Sequence, residues 1–339
     1  MKLGALASLS AICGAIGCAP EPSSGEPSSH ASDGEMSSAT VFVFDTVATI
    51  TAFCSTDTVS RAIDRCYRFE SLFSRTIPES DIGRINASEG SPIEVDPDTA
   101  RIIEQALKYS RATDGLFDIT IGSVSSLWDF KQGIVADEGA IAEAVRHVDY
   151  RNVEVDGCTV TLLDPESKLD LGGIAKGYVA EDLAAFLSQE GCRSACIDLG
   201  GTIRTIGTKP DGTLWRIGIQ NPFEDAGEVV STYDLEDCSL VTSSLTERQF
   251  VKDGKRYWHI LDPRTGYPVE TDLVSASIVS PSGVDGEGYT KALFMMDPGD
   301  SIEFIEQLPN IEALLISATG STFRTSGLSS EPFRETETS

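Results

Sequence analysis

The sequence predicts an α+β protein, one large domain of mixed and antiparallel sheet flanked by helices, preceded by an export signal and a flexible stalk. Three observations predict it. Strand-like segments cluster in runs across residues 194–280 instead of alternating regularly with helices, which disfavours a doubly wound parallel sheet. Helical periodicity is confined to a few separate stretches. The body of about 300 residues shows no second break in composition and no internal repeat, so one domain, residues 40–327, is the simplest count.

In chain order, Met1-Lys2 is followed by an uncharged apolar run over 3–17, too short for a membrane span, which predicts a signal peptide at 1–17. Ala15-Ile16-Gly17-Cys18 resembles a bacterial lipobox, so Cys18 is expected to be lipidated and to become the new N-terminus. Residues 18–39 are rich in Pro, Ser, Gly and Glu, and Met36 is the one large apolar side chain among them. They bury too little apolar surface to fold and read as a stalk. The expectation is an exported lipoprotein, anchored on the extracytoplasmic face of the cell membrane.

Within the body, residues 41–53 read as an opening strand broken at Asp45-Thr46. Residues 60–73 and 98–113 read as amphipathic helices, the second with Asp98 as N-cap and Gly115 after its end. A strand pair is expected over 153–163 around Asp156-Gly157, then a helix over 174–190 closed by Gly191. Strands follow at 194–198 and 214–220, with a hairpin of 247–251 and 256–261 around Asp253-Gly254. Residues 273–280 continue the sheet, 288–296 and 300–308 read as helical, 313–317 with 321–324 close the sheet, and 328–339 form a polar tail.

The chain carries 26 basic and 53 acidic residues, a net charge of −27, and loss of Lys2 with the signal makes it more negative still. Such a surface argues against nucleic acid and anionic lipid as partners. Of the eight cysteines, Cys54, Cys66, Cys158, Cys192, Cys196 and Cys238 remain after export. None forms a CxxC pair. Cys192 and Cys196 are close enough in sequence to bridge, and buried free thiols suit a domain of this size equally well.

The segment with most chemical content is Asp170-Leu171-Gly172-Gly173-Ile174-Ala175-Lys176-Gly177-Tyr178. An acid, two glycines and a lysine sit where a helix begins, and a helix N-terminus offers unpaired N–H groups to phosphate. A tight turn with a surface lysine would read the same way. Four further constellations accompany it: Gly115-Leu116-Phe117-Asp118-Ile119-Thr120-Ile121-Gly122 followed by Leu127-Trp128; Asp198-Leu199-Gly200-Gly201; Thr242-Ser243-Ser244; and His259-Ile260-Leu261-Asp262-Pro263-Arg264-Thr265-Gly266-Tyr267-Pro268. In this order and at these spacings they resemble the ApbE family, the FAD:protein FMN transferases, over residues 41–323.

The resemblance implies that FAD is bound, that Mg2+ activates its pyrophosphate, and that FMN passes to a Ser or Thr hydroxyl of an acceptor flavoprotein with AMP as leaving group. It places Asp170 and Lys176 on the dinucleotide, with Lys176 also in the reaction, and the Gly173 carbonyl on the metal. Many family members carry Asp-x-x-Ser/Thr-Thr before an Ala-Leu-Phe run. Here Glu287-Gly288-Tyr289-Thr290-Lys291 precedes Ala292-Leu293-Phe294. Glu287 and Thr290 are therefore the expected metal ligands, with Asp285 as a substitute. Lys291 holds a metal-segment position without being expected to ligate, and it offers charge that the metal would otherwise supply.

His259 is the expected base for the attacking hydroxyl, since an imidazole titrates near neutrality. Asp262 either orients it or the substrate, or organises the turn. The resemblance further places FAD against Phe44, where the family usually has methionine and an aromatic ring can stack on the flavin, and against Thr46. Thr76 falls where relatives often carry tyrosine. Val124, Ser125 and Ser126 match the adenine end; Asp118 and Thr120 touch ligand or brace their loop. Gly200, Gly201, Thr242 and Ile260 complete the FAD set. Two other functions fit the same residues: a metal-dependent FAD pyrophosphatase and a non-catalytic FAD-binding lipoprotein.

Overall fold

Residues 35–224 and 227–329 are described by the computed structural model. The signal at 1–17, Cys18 and the stalk up to residue 34 lie outside them, as does the tail from 330 onward. Among the described residues, eight strands form one sheet in the order Met36–Val43, Thr46–Phe53, Ala195–Asp198, Thr202–Ile206, Ser239–Ser244, Leu273–Ser280, Glu312–Ser317 and Thr322–Arg324. Every neighbouring pair is antiparallel, so the α+β expectation holds.

Period-two alternation sends successive side chains of these strands into different cores. Ala195 and Ile197 join the core beneath helices Thr56–Phe73 and Ala175–Gln189, whereas Cys196 joins a second core with Trp215, Ile217, Ile219, Tyr233 and Leu235. That second core is roofed by the hairpin Trp215–Gln220 and Val229–Leu235. Ile278 and Val279 divide in the same way, Ile278 packing with Leu293 and Phe294 and Val279 with the hairpin side. Both faces of the sheet are thus covered. Each fully buried aliphatic or aromatic side chain contributes about 1.5–3 kcal/mol relative to exposure.

The first strand begins at Met36, inside the segment 18–39 expected as stalk. Small hydroxyl residues suffice there because the strand lies at the sheet edge, where Ser38 pairs with Thr51 (Oγ–Oγ1 3.1 Å) and Thr40 with Thr49 (3.0 Å). The expected opening strand over 41–53 is in fact the second half of this hairpin and its partner. Phe44 and Asp45 form the turn, both at positive φ (54° and 60°), which is costly for a bulky side chain. The Phe44 N–H donates to Glu70 Oε1 at 2.8 Å, and Lys131 Nζ donates to Asp45 Oδ1 at 2.6 Å.

Helix Pro97–Ala112 is capped by Asp96, whose side chain accepts from the Asp98 N–H at 2.8 Å; Asp98 lies inside the first turn instead of capping it. Helix Gly283–Leu293 starts five residues before the periodicity suggested. Its Gly283, Gly286 and Gly288 are poor helix formers, but each serves close packing. A Cβ on Gly288 would collide with the Tyr109 ring, and one on Gly286 would meet Val241 at 2.5 Å. The strands Val229–Leu235 and Ser239–Ser244 were hidden by buried hydroxyl residues such as Ser231, Ser239 and Ser243, which break the apolar alternation. Cys192 and Cys196 are not bridged; the Cys192 thiol donates to the Ser194 carbonyl at 3.4 Å. Among the described residues no helix is long and apolar enough to cross a membrane.

Candidate active site

Helices Ala175–Gln189 and Gly283–Leu293 cross where Gly177 meets Gly283, so closely that a Cβ on Gly177 would collide with the Gly283 carbonyl. Glu181 fixes the crossing by accepting the Gly283 N–H at 2.7 Å. This contact brings the N-terminal turn of the first helix beside the middle of the second. Helix Ala175–Gln189 has no side-chain cap and no acid in its first turn, so its positive end is not neutralised from within.

At the crossing, three groups converge on the fully buried Glu287. Lys176 Nζ donates to Oε1 at 2.8 Å, Thr202 Oγ1 donates to the same oxygen at 2.5 Å, and Lys291 Nζ donates to Oε2. Lys176 Nζ also reaches Thr202 Oγ1 at 3.1 Å. Burial pushes the Glu287 carboxyl up, but the charges of Lys176 and Lys291 outweigh it and hold the group down to about 2. Burial lowers the Lys291 ammonium pKa, against Glu287, which supports the charged form.

The floor of the site is the turn between strands Ala195–Asp198 and Thr202–Ile206. Gly200 and Gly201 adopt positive φ (68° and 86°), and Gly200 lies so close to Thr46 that any side chain there would strike its hydroxyl. The Thr242 N–H donates to the Gly201 carbonyl at 2.8 Å, and a Cβ on Gly201 would lie 3.7 Å from Glu247 Oε1. Asp198 accepts the Gly200 N–H at 2.9 Å, and burial pushes its carboxyl up to about 6. Burial also raises Glu247, opposed by Lys176, Arg248 and Lys291.

His259 hangs from the strand pair Gln249–Lys252 and Lys255–Trp258, its N–H donating to the Arg248 carbonyl at 3.1 Å. Its Nδ1 is buried without a hydrogen-bond partner. Burial, then the charges of Arg248 and Lys291, hold the imidazole down to about 3, so it is neutral near pH 7 but, without an anion bound beside it, a weaker base than the expected titration near neutrality. Arg248 also binds the Phe44-Asp45 turn, through the Asp45 carbonyl at 3.1 Å and Asp45 Oδ2 at 3.3 Å.

The expected residues divide into three groups. Lys176, Gly173, Glu287, Thr290, Lys291, Gly200, Gly201 and Thr242 lie on the elements that meet at the crossing, with His259 close enough to feel Lys176 and Lys291. Asp170 forms a neighbouring cluster, accepting from Ser125 Oγ at 2.7 Å and the Gly172 N–H at 2.9 Å and pairing with Arg75 at 3.0 Å. Ser126 instead donates to the Ser123 carbonyl at 3.2 Å. The third group is structural. Asp118 accepts from the Thr120 N–H and hydroxyl and from the Tyr150 N–H, which braces the loop. Val124 and Ile260 are buried, and Phe44 packs partly against the helical core.

Asp262 does not orient His259. Its carboxylate is held by the Arg264 N–H (2.8 Å) and guanidinium (2.7 Å), and its carbonyl accepts the Gly266 N–H at 2.8 Å, so it organises the turn. The expected Mg2+ ligand set also fails. Both Glu287 oxygens are taken, the Thr290 hydroxyl is paired with Ser243 at 2.9 Å, and Asp285 points away to accept from Tyr109 at 2.7 Å. A Cβ on Gly173 would lie 3.9 Å from Lys291 Cε, so the lysine stem runs among the three expected ligands. Mg2+ needs six oxygens in near-octahedral array, and an ammonium in their midst supplies none.

Sequence reasoning missed Thr202, Arg75, Glu247 and Arg248. Only the Arg75 position had a signal, one residue before Thr76; Thr202 reaches the site through strand pairing, and Glu247 and Arg248 through the bend between strands Ser239–Ser244 and Gln249–Lys252.

Comparison with known proteins gives a consistent picture. The model of the ApbE family matches residues 44–315. An FAD:protein FMN transferase of Treponema pallidum is 33% identical over 73% of this chain and 73% of its own length. One from Klebsiella pneumoniae is 34% identical over 76% of this chain and 81% of its own. The crystal structure of the ApbE protein from Thermotoga maritima superposes with a TM-score of 0.80 at 29% identity, covering 87% of this chain and 98% of that one. The flavin transferase ApbE from Vibrio cholerae, at 24% identity and a TM-score of 0.77, shares the fold.

Proposed function

The chain belongs to the ApbE family, and from that membership we propose that it is an FAD:protein FMN transferase, moving FMN from FAD to a Ser or Thr hydroxyl of an acceptor flavoprotein. The observation that carries this reading is the convergence of two lysine ammonium groups on one carboxylate at a helix N-terminus without a side-chain cap, with His259 near enough to feel both charges. Phosphoryl transfer asks for charge neutralised on the phosphates and an attacking oxygen held in line.

The acceptor oxygen forms a bond to the phosphorus on the FMN side of the FAD pyrophosphate. The bond from that phosphorus to the bridging oxygen breaks, and its electron pair leaves with AMP. His259 takes the hydroxyl proton. Lys176 and the N–H groups that follow Ala175 in the first turn of helix Ala175–Gln189 would meet the phosphates, the Ala175 N–H itself donating to the Leu171 carbonyl at 2.8 Å, and Asp170 and Ser125 mark the polar wall beside them. Mg2+, which the family resemblance implies, has no place in these steps because the residues do not fit it. The lipobox-like segment ending at Cys18 supports a lipid-anchored protein on the extracytoplasmic face of the cell membrane, acting on exported or membrane-facing flavoproteins.

Incubating the full chain with FAD and an acceptor domain carrying a Ser/Thr flavinylation motif, then measuring acceptor mass, FMN and AMP, tests the proposal. An FMN adduct with equimolar AMP is expected. FMN and AMP without adduct would instead identify a pyrophosphatase, and intact FAD would leave only a binding protein.

A further inference from the structure

We propose that Lys291 stands in for a divalent cation, its ammonium facing the FAD pyrophosphate, so that this chain binds FAD and transfers FMN without a metal ion. The inference rests on the transferase reading above. Its ground is the charge arrangement around Glu287: one carboxylate shared by two ammonium groups, from Lys176 and Lys291 on different helices. One anion and two cations leave one positive charge in excess within this trio, while the nearby Arg248 guanidinium is paired with Asp45. A dinucleotide pyrophosphate is anionic, so the second ammonium is the charge that it would meet in place of a metal ion.

Geometry supports the same conclusion. The Lys291 side chain passes the Gly173 backbone, and Thr290, the neighbouring oxygen donor, is turned to Ser243. Lys176 and Lys291 side chains keep about a fifth of their surface exposed (21% and 20%) while Glu287 keeps 1%, so whatever enters the site meets the lysines before the carboxylate. An ammonium in this place lowers the charge on a non-bridging phosphate oxygen as AMP departs; it forms no bond and changes no oxidation state. Asp198 and Glu247 are buried acids close enough to Lys176 to feel its charge, and they reduce the excess.

The test is FAD binding by the full chain, followed by flavin fluorescence anisotropy in EDTA and in millimolar Mg2+, with AMP release and acceptor labelling measured under both conditions. The wild type is expected to bind FAD equally within about twofold and to label acceptor in EDTA, whereas Lys291→Thr should lose about tenfold or more in affinity in EDTA. In the double variant Glu287→Asp, Lys291→Thr, Mg2+ should restore binding. A wild-type affinity or labelling rate that rises more than about tenfold with Mg2+ overturns the inference and leaves the transferase reading standing. Metal-free binding that Lys291→Thr does not weaken also overturns it, by placing the charge elsewhere. Failure to bind FAD in either condition overturns the transferase reading and this inference together. The comparison of the two wild-type conditions needs no variant to fold.

Discussion

Glu287→Gln removes one negative charge from the centre of the site while keeping side-chain shape, and it leaves two ammonium groups facing each other across a buried amide. Removing one partner of a buried ion pair costs about 3–5 kcal/mol. Both lysines retain some exposure, so solvent screens part of the repulsion and the lower end, about 3 kcal/mol, is the expected loss. Unfolding entropy of about 2.1 cal/mol/K per residue gives roughly 0.6 kcal/mol/K for the ordered domain, so Tm should fall by about 5 °C. Thermal unfolding followed by circular dichroism at pH 7 reads this directly. Adding Lys291→Met to Glu287→Gln should recover part of the loss, with a coupling of about 1–3 kcal/mol. The pH dependence has a definite sign. The Glu287 carboxyl is held down to about 2 in the folded chain against an ordinary value of 4.5, so its stabilisation is present above pH 4.5 and is lost as pH falls toward 2. The Tm gap between wild type and Glu287→Gln should therefore narrow below pH 4.5. An unchanged or higher Tm in the variant at pH 7, or strict additivity with Lys291→Met, would refute the view that this carboxylate holds the site together.

Other consequences can be checked with simpler variants. His259→Ala should slow acceptor labelling by about 10²–10⁴-fold, the range of general base catalysis, with FAD affinity nearly unchanged; Asp262→Asn should lower Tm more than it lowers labelling, and equal labelling by His259→Ala and wild type would remove the imidazole from the chemistry. The imidazole of His259 is held down to about 3 by burial and by Arg248 and Lys291, so its ring nitrogens followed by NMR in the FAD-free chain should stay neutral from pH 8 to pH 5; a midpoint near 6.5 would mean the ring is solvated. Gly177→Ala forces the two helices apart at the Gly283 carbonyl, and overpacking of this kind costs about 1–3 kcal/mol; a variant with wild-type Tm and FAD affinity would show that the crossing does not position Lys176.

Elements with strong local signals were legible: the helices Thr56–Phe73 and Ala175–Gln189, the hairpins, and the antiparallel character of the sheet. What escaped depends on partners remote in sequence. Gly283–Leu293 looked like a shorter helix because its glycines weaken propensity, and their value appears only when Tyr109, Val241 and Gly177 press against them. Thr202 enters the site through strand pairing and Glu247 through the bend after strand Ser239–Ser244, and Asp262 is claimed by Arg264, two residues away, before it can serve His259.

The two departures in the metal segment, Glu287 and Lys291, read in sequence as separate losses, yet the structure makes them one change. They stand four residues apart on one helix, the spacing at which a carboxylate and an ammonium meet, and they do meet. An aspartate at 287, one methylene shorter, would have to reach Lys291 on its own helix as well as Lys176 and Thr202 across the crossing, and Glu287 spans all three. A lysine alone at 291 would bury an unpaired cation; a glutamate alone at 287 would only crowd a metal. Together they put an ion pair across the positions where ligands to a divalent ion were expected.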